Sequence, residues 1–410
     1  MDTNFDILIV GGGLVGASLA CALGRSGLRI GVVEAVPLSS AAQPSYDDRA
    51  VALAFGSRRI FEGLGLWTDI ERLGAYPIEH IHISDRGHFG FTRLHASDAG
   101  LPALGYVVPT RVLGSTLYQA LRAMTHVRLF CPAAMQRLDI GDDAAVLDIK
   151  EGPETRTLHT PLVVAADGAH SAVRQAAGIE ALRSEYAQVA IVTNVTAAEP
   201  HRNTAYERFT ASGPLAILPM AGNTCGVVWS AHRTEVDAIL KWSDQEFLAH
   251  LQERFGERLG RFSRVGRRVS YPLALTRVRE PMRERLVLIG NAAHTVHPVA
   301  GQGFNLGLRD VAALAEVIED ALRDGVDIAG LPVLRRYADW RRRDNQVTAR
   351  FTDGLIRLFS NAFAPLALGR NLGLIAADLL PPVKRGFIRM TSGLTGRQPR
   401  LARGLPARSP

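Results

Sequence analysis

Cysteine is sparse in this chain of 410 residues: Cys21, Cys131 and Cys225 are odd in number and far apart. Such usage argues against a disulfide framework, offers no metal-ligand spacing and fits a reducing compartment, with the three thiols as core residues. Long apolar runs are missing too. Nothing approaches the roughly 18 uninterrupted apolar residues of a membrane-spanning helix. A secretory signal is not expected either, because Asp2 and Asp6 stand where basic residues belong and glycines interrupt Ile7 to Leu23. A cytoplasmic protein is therefore expected, and no nucleic-acid partner. Acids are absent after Leu380, where Lys384, Arg385, Arg389, Arg397, Arg400, Arg403 and Arg408 match the whole net charge of +7. This leaves a neutral body and a basic tail over 384–410, which its Pro, Gly and Ser mark as loosely ordered. Just before it, Asn361 to Leu380 is rich in Phe, Leu, Ile and Ala, with only Arg370 and Asp378 charged. Two readings stay open for that stretch: peripheral contact at the inner face of the membrane, or a core helix followed by a loose end.

What the chain does have is ample material for a buried core, 47% hydrophobic residues, and glycines at informative places. Asp6 to Val10 reads as a buried parallel strand, Gly11, Gly12, Gly13 and Gly16 follow at once, and Ala17 to Ser26 has helical composition. In that order the glycines carry meaning: Gly11 permits a tight turn, Gly13 lets a pyrophosphate approach the backbone, and Gly16 lets helix and strand pack closely. Leu28 to Val33 supplies a second strand ending at Glu34, whose carboxylate can accept from both hydroxyls of a ribose. An acid there disfavours a 2′-phosphate, so FAD or NAD is expected in this site rather than NADP.

A second glycine motif follows the apolar strand Leu286 to Ile289, which turns at Gly290 and Asn291 and carries Gly301, Gln302 and Gly303 into an amphipathic helix. The start of a helix offers unpaired N–H groups and the positive end of its dipole, which suits a group that becomes anionic during turnover. Between the two motifs, Thr160 to Ala166 reads as a strand that Asp167 and Gly168 turn into a helix beginning near Ser171. Asp167 then sits at the carboxyl end of a strand, where ligands of open α/β sheets collect; taken alone, the segment is a capped turn. Arg49 follows Asp47 and Asp48, as a local salt bridge or as a cation beside the dinucleotide.

The segments GGGLVG with Glu34, DDRAVAL, AADGAHSAVR and GNAAHTVHPVAGQGFNLGLRD, in this order and separation, resemble the single-component FAD-dependent aromatic hydroxylases typified by para-hydroxybenzoate hydroxylase. Further stretches, ISDRGHFGF, ERFTASGPLAILPM and YPLALT, are similar to the ubiquinone-biosynthesis branch, above all to 2-polyprenyl-6-methoxyphenol hydroxylases. The resemblance covers nearly the whole chain and weakens in the tail. It implies that Gly11, Gly13, Gly16 and Glu34 hold the ADP half of FAD, with Arg49 and Arg111 as further FAD contacts. Asp167 and Gly168 match a motif that serves FAD and the nicotinamide donor, and Gly290 and Asn291 match the ribityl and pyrophosphate site. Pro298, Gly301, Gln302 and Gly303 match the catalytic loop at the reactive flavin edge, with Gly301 to Asn305 facing the pyrimidine end. Most of the superfamily has Asp where this chain has Asn291, a neutral amide that both donates and accepts; the 6-methoxyphenol hydroxylase branch itself tolerates Asn.

The fold implied is α/β: a Rossmann-like FAD-binding domain from 1–74, 103–180 and 281–345, interleaved with an antiparallel-sheet substrate domain from 75–102 and 181–280, then C-terminal helices over 346–383. Alternating stretches such as Ala187 to Val195, Leu215 to Pro219 and Thr224 to Ser230 read as that sheet, joined by a hairpin from Ile78 to Leu94. Ser84 to His88 reads as the hairpin's turn and Arg341 to Arg343 as a solvated face. The chemistry implied is reduction of FAD by NAD(P)H, which visits transiently because there is one dinucleotide fingerprint, then attack of a flavin C4a-hydroperoxide formed from O2 on a prenylated phenol. The site must exclude water, and the cofactor carries the reaction. A base for the phenol proton would help. His82, His88, His294, His297 and Tyr206 are candidates by type, a structural role is the better reading of each, and no base is identified. Other ubiquinone-biosynthesis proteins are expected as partners. The alternatives are a hydroxylase for another ring position or a soluble phenol, and a non-catalytic prenyl-binding flavin fold, which the intact Pro298 and Gly301 to Gly303 oppose.

Overall fold

The computed structural model describes residues 3–37, 49–361 and 363–407, so Asp47, Asp48 and Arg408 lie outside the described residues. One of its two large sheets has six strands, in the spatial order Met282–Arg283, Leu286–Leu288, Leu162–Ala165, Ile7–Val10, Ile30–Val33 and Val127–Phe130. All pairings are parallel except that of the first, edge strand. The central strands read ILIV, IGVV and LVVA and are buried at every position, as a sheet covered on both faces requires. Ile7, Ile9, Ile30 and Val164 pack beneath helices Leu14–Leu23 and Gln302–Arg323. Leu8, Val10, Val163 and Leu288 face the other way, onto the three-stranded sheet of Ala134–Ile140, Ala145–Glu151 and Glu154–Thr160.

The other large sheet has nine strands. Ala181–Ala197, Thr204–Thr210, Gly213–Pro219, Thr224–His232 and Val269–Val278 form its antiparallel body, and the hairpin His80–Asp85/Phe91–His95 joins through a parallel pairing with Thr204–Thr210. Because side chains alternate along a strand, its two faces have separate fates. Ile191, Leu215, Ile217, Val227 and Trp229 pack on the outer face beneath helix Asp244–Phe255. Ala190, Val192, Ala216, Leu218 and Val228 turn inward and line a cavity.

Helices Leu331–Phe359, Ala364–Leu379 and Pro381–Thr391 close the molecule. The first is continuous across residue 345, so no break in secondary structure marks that position. Two expectations need correction. Arg341 is not part of a solvated face: it is buried, and its guanidinium binds Asp310 at 2.7 Å and also Asp344, whereas its neighbour Arg342 does face solvent. The basic tail, expected to be loose, is anchored at several points among its described residues. The Arg397 guanidinium lies 3.8 Å from the Trp340 ring centroid, the Arg400 N–H donates to Glu316 at 2.6 Å, and Leu401 and Ala402 are buried in the main core. Gly56 and Gly63 make room for it, since a Cβ on either would press on the backbone of Gly393 or Leu405. Charge and composition are local properties, and they carry no trace of this long-range fit.

Candidate active site

The two large sheets and the C-terminal helices enclose a cavity of about 1160 Å³, beyond the roughly 300–1,000 Å³ of an ordinary small-ligand pocket. Gly11, Gly13, Glu34, Arg49, Asp167, Gly168, Gly290 and Asn291 line one part of it; Pro298, Gly301, Gly303 and Asn305 line another. Most of the residues singled out in the sequence therefore meet on one surface. Gly16 does not line it, because its place is against the strand: a Cβ there would overlap the carbonyl oxygen of Gly11. Arg111 is exposed in the first turn of helix Thr110–Arg122, and Gln302 is buried behind the loop; neither is part of the cavity lining.

The glycine-rich end fits a dinucleotide. Helix Leu14–Leu23 starts at Gly13 with no side-chain cap and no acid in its first turn, leaving N–H groups and the positive dipole end for phosphates. A Cβ on Gly13 would meet nothing within 4 Å, which is the space a pyrophosphate needs. The Glu34 carboxylate accepts from Gly12 N–H and Val36 N–H, each at 2.8 Å. That fixes it at the strand end with lone pairs left for a ribose. Asp167 Oδ2 accepts from Val173 N–H at 3.1 Å, while its Oδ1 is buried without a partner; a buried polar atom of this kind calls for a ligand donor. Arg174 ties this loop to the other glycine motif, donating to Ala169 O and Ala292 O at 3.0 and 2.8 Å. Arg49 stacks on Tyr271 at 4.5 Å.

The loop before helix Gln302–Arg323 is held from several sides. Ala300 and Gly301 are consecutive left-handed residues, with φ of 57° and 63°. The latter abuts Ala52, 3.0 Å from where a Cβ would sit. Asn305 accepts from Ala54 N–H and donates to Ala52 O at 2.8 and 2.9 Å, and Gln302 donates to Ala300 O and Thr391 O at 3.1 and 3.2 Å. Their amides thus shape the loop. The helix starts at Gly301 with no capping side chain and no acid in its first turn, so a second unneutralised N-terminus faces the cavity.

Sequence reasoning passed over Asp310, which anchors this loop. Its carboxylate accepts from Gly290 N–H at 3.0 Å, lies 2.6 Å from His294 Nε2, and pairs with Arg341. Burial alone would raise its pKa, but His294 and Arg341 outweigh burial and hold it well below the ordinary carboxylate range. His294 is thereby a structural partner. His297 is buried, accepts from Val299 N–H at 3.2 Å, and is pushed down to about 4 by burial. His82 is not part of the cavity lining and meets Arg258 at 3.0 Å and Phe91 by stacking, while Tyr206 borders the cavity but packs its ring edge-on against Phe255. His88 is exposed beside the hairpin turn.

A second acid escaped notice. Along Thr204–Thr210, Ala205, Glu207 and Phe209 share the inward parity, so Glu207 stands among cavity-lining side chains, between Ile83 and Ala216 in register. Burial pushes its carboxyl up to about 7, against the opposing pull of the Ala300 amide. The signal was present in the sequence as one acid at an apolar position of an alternating strand. Among the described residues it is the one carboxylate that the nine-stranded sheet contributes to the cavity.

Comparison with known proteins agrees with this geometry. Residues 4–351 match the FAD binding domain family. Ubiquinone hydroxylase UbiL of Rhodospirillum rubrum is 40% identical over 99% of this chain and 94% of that protein. The 3-demethoxyubiquinol 3-hydroxylase of Escherichia coli is 34% identical over 95% and 98% of the two chains. Among solved structures, p-nitrophenol 4-monooxygenase PnpA from Pseudomonas putida has the same fold, with a TM-score of 0.81 and 22% identity over 97% of this chain and all of that one. Fingerprint, loop and family match converge: the chain belongs to the FAD-dependent aromatic hydroxylases, in their ubiquinone-biosynthesis branch, and is a FAD-dependent monooxygenase.

Proposed function

We propose that this monooxygenase hydroxylates the ring of a polyprenylated phenol of ubiquinone biosynthesis, 2-polyprenyl-6-methoxyphenol, with NAD(P)H as electron donor and O2 as co-substrate. The observation that carries the reading is the continuity of the cavity from the glycine fingerprint, past Pro298 and Gly303, to an apolar chamber walled by Ile81, Phe209, Leu218, Leu355 and Leu374. Bound FAD supplies oxygen activation. The protein's part is to hold the dinucleotide through Gly13, Glu34 and Asp167, to present the Gly301–Gly303 helix start to developing negative charge, and to keep the ring in a dry chamber.

The C-terminal helices support a lipid-borne substrate. Their inner side chains Leu374, Ala377 and Phe387 line the chamber. Outside, Leu366, Leu368, Leu372, Leu379, Leu380 and Val383 are 36% to 70% exposed. Arg385 and Arg389 flank them in solvent. Exposed apolar surface with a cationic rim suits the headgroup region of an anionic bilayer, and no helix of the described residues is long and apolar enough to cross it.

The test is lipid analysis of cells lacking the protein, followed by turnover of the accumulating phenol under labelled O2. The reading predicts accumulation of 2-polyprenyl-6-methoxyphenol and one labelled oxygen in the ring. Accumulation of a 3-demethoxy precursor would move the reaction to the position that the Escherichia coli relative's name gives, and a ring hydroxyl derived from water would overturn the monooxygenase assignment.

A further inference from the structure

The cavity holds one proton acceptor whose place has no structural explanation. Glu34 and Asp167, the other carboxylates that line it, each accept backbone N–H groups at a turn of the glycine-rich end. Glu207 stabilises none of the sheet: its strand is paired through its backbone on both sides, to His80–Asp85 and to Gly213–Pro219. Its carboxylate instead leans toward the Ala300 amide, on the loop that Pro298 and Gly303 bound. An acid at an inward position of a strand costs desolvation that an Ala or Val would avoid. Ala205 and Phe209 show what the fold alone selects on that face.

We propose that Glu207 is the group that takes the proton of the substrate's ring hydroxyl, rendering the ring electron-rich where it meets the flavin-edge loop. The inference rests on the hydroxylase reading above. In the step, the phenolic O–H bond breaks and its electron pair stays on the ring oxygen, while a carboxylate oxygen of Glu207 gains the proton. When the hydroxylated ring rearomatises, the attacked carbon gives up its proton to solvent and the Glu207 proton returns to the ring oxygen, so the carboxylate is regenerated. No oxidant or reductant enters this transfer.

The surroundings suit the task. An acceptor works best when it titrates near the working pH, and burial brings Glu207 to about 7. The other titratable groups on elements packed around it are engaged elsewhere. Asp85 is bound to Arg370 at 2.8 Å, Tyr186 to Asp353 at 3.2 Å, Asp378 to Arg93 at 3.1 Å, and His294 to Asp310 at 2.6 Å. His297 accepts from Val299 N–H, Arg49 stacks on Tyr271, and Arg183 pairs with Glu185. Burial raises the Glu207 carboxyl and the Ala300 amide opposes it. Ala300 is also the one non-glycine residue of the loop in left-handed conformation. Its amide direction, set by that conformation, orients the carboxylate toward the loop.

The experiment uses FAD-loaded wild-type protein, Glu207→Gln and Glu207→Asp, with a short-chain prenyl methoxyphenol and a fluorinated analogue of lower phenol pKa as probes. Wild type should hydroxylate faster as pH rises through about 7. Glu207→Gln should lose about 10²–10⁴-fold in hydroxylation of the ordinary phenol, lose that limb of the pH profile, and recover most of the rate with the fluorinated phenol. Glu207→Asp should recover part of it with the ordinary phenol. Apart from turnover, difference infrared spectra of the resting protein should show a protonated carboxyl band that titrates near pH 7 in wild type and is missing in Glu207→Gln. Equal rates and pH profiles for wild type and Glu207→Gln, with FAD retained in both, would overturn the proposal while leaving the hydroxylase reading intact. Equal losses with both phenols would make Glu207 structural and overturn it as well. A wild type that hydroxylates neither phenol would instead sink the functional reading on which the proposal stands.

Discussion

Two carboxylates, the fully buried Asp310 and the partly buried, cavity-lining Glu207, are treated in opposite ways. Asp310, on the helix that covers the parallel sheet, is surrounded by the Gly290 amide, His294 and Arg341, and its charge is held against burial. Glu207, on the antiparallel sheet, has the Ala300 amide as its one named support, and burial pushes its pKa up. The first arrangement fixes a charge so that the backbone around Gly290 cannot move. The second leaves a proton free to come and go beside a cavity. On the proposed reading, rigidity belongs where a dinucleotide is gripped, and a proton that can move belongs where a substrate reacts. Partner number decides which of the two a buried acid supplies.

The contrast between a gripping half and a reacting half is sharpest in Gly13→Leu. A Cβ there meets no protein atom within 4 Å, so the backbone should persist, while the added bulk takes the phosphate space. Purified variant should be colourless, with no FAD released on denaturation and with a wild-type circular dichroism spectrum. Retained FAD would break the assignment of the fingerprint.

Next in size is Arg341→Ala. It removes one partner of a buried pair and leaves Asp310 and Asp344 facing each other's charge, so unfolding free energy should fall by about 3–5 kcal/mol. Denaturant titration measures this; a loss within error would mean that Asp310 is not held as described.

The two acids should also give opposite pH dependences of stability. Asp310 has a depressed folded pKa, so its contribution is present above the unfolded value of 3.8 and is lost only in strong acid. Glu207 has a raised one. Between 4.5 and about 7 the native state keeps a proton that the unfolded chain has released, so stability should fall as pH rises through that window and level off above it. Replacement by Gln should flatten the slope, making Glu207→Gln relatively more stable at pH 8 than at pH 5. Melting temperatures across that range decide it, and an unchanged slope would refute the raised pKa.

Packing of the tail changes how the membrane reading is tested. Truncation would strip Leu401 and Ala402 from the core and so confound binding with unfolding. Point changes are cleaner: Arg385→Ala and Arg389→Ala should each weaken binding to anionic vesicles by about 1 kcal/mol at low salt and leave neutral vesicles unaffected. Smaller still is Arg397→Ala, which removes the stack on Trp340 and should cost about 0.5–1 kcal/mol of stability, read as a small drop in melting temperature.

Much of this was legible in the sequence, for reasons that differ between segments. The chain around Gly11, Gly13, Gly16 and Glu34 encodes its role locally, since turn, helix start and strand end lie within one βαβ unit. Gly16 was read both as a packing residue and as a cofactor contact; the structure places it against the strand and outside the cavity lining, and the packing part was legible because contact between helix and strand is a local matter. Gly301, Gly303 and Asp167 were likewise placed by strand-turn-helix order. Arg341 was misread because a run of arginines on a helix signals solvent unless its partner is known, and Asp310 lies on another helix. The tail was misread for the same reason, its partners being Gly56, Gly63 and Trp340.

The sequence by itself determined the α/β class, the FAD fingerprint and the family, because these rest on residue types at short, fixed spacings. Only the tertiary structure decided which acids are locked and which can titrate. That choice depends on how many donors and cations reach a carboxylate from distant segments, and on how much water the packing removes from it. Asp310 and Glu207 are alike when read along the chain, each a lone acid beside an arginine in an otherwise largely apolar stretch; folding gives one a distant arginine and a histidine, and the other a cavity.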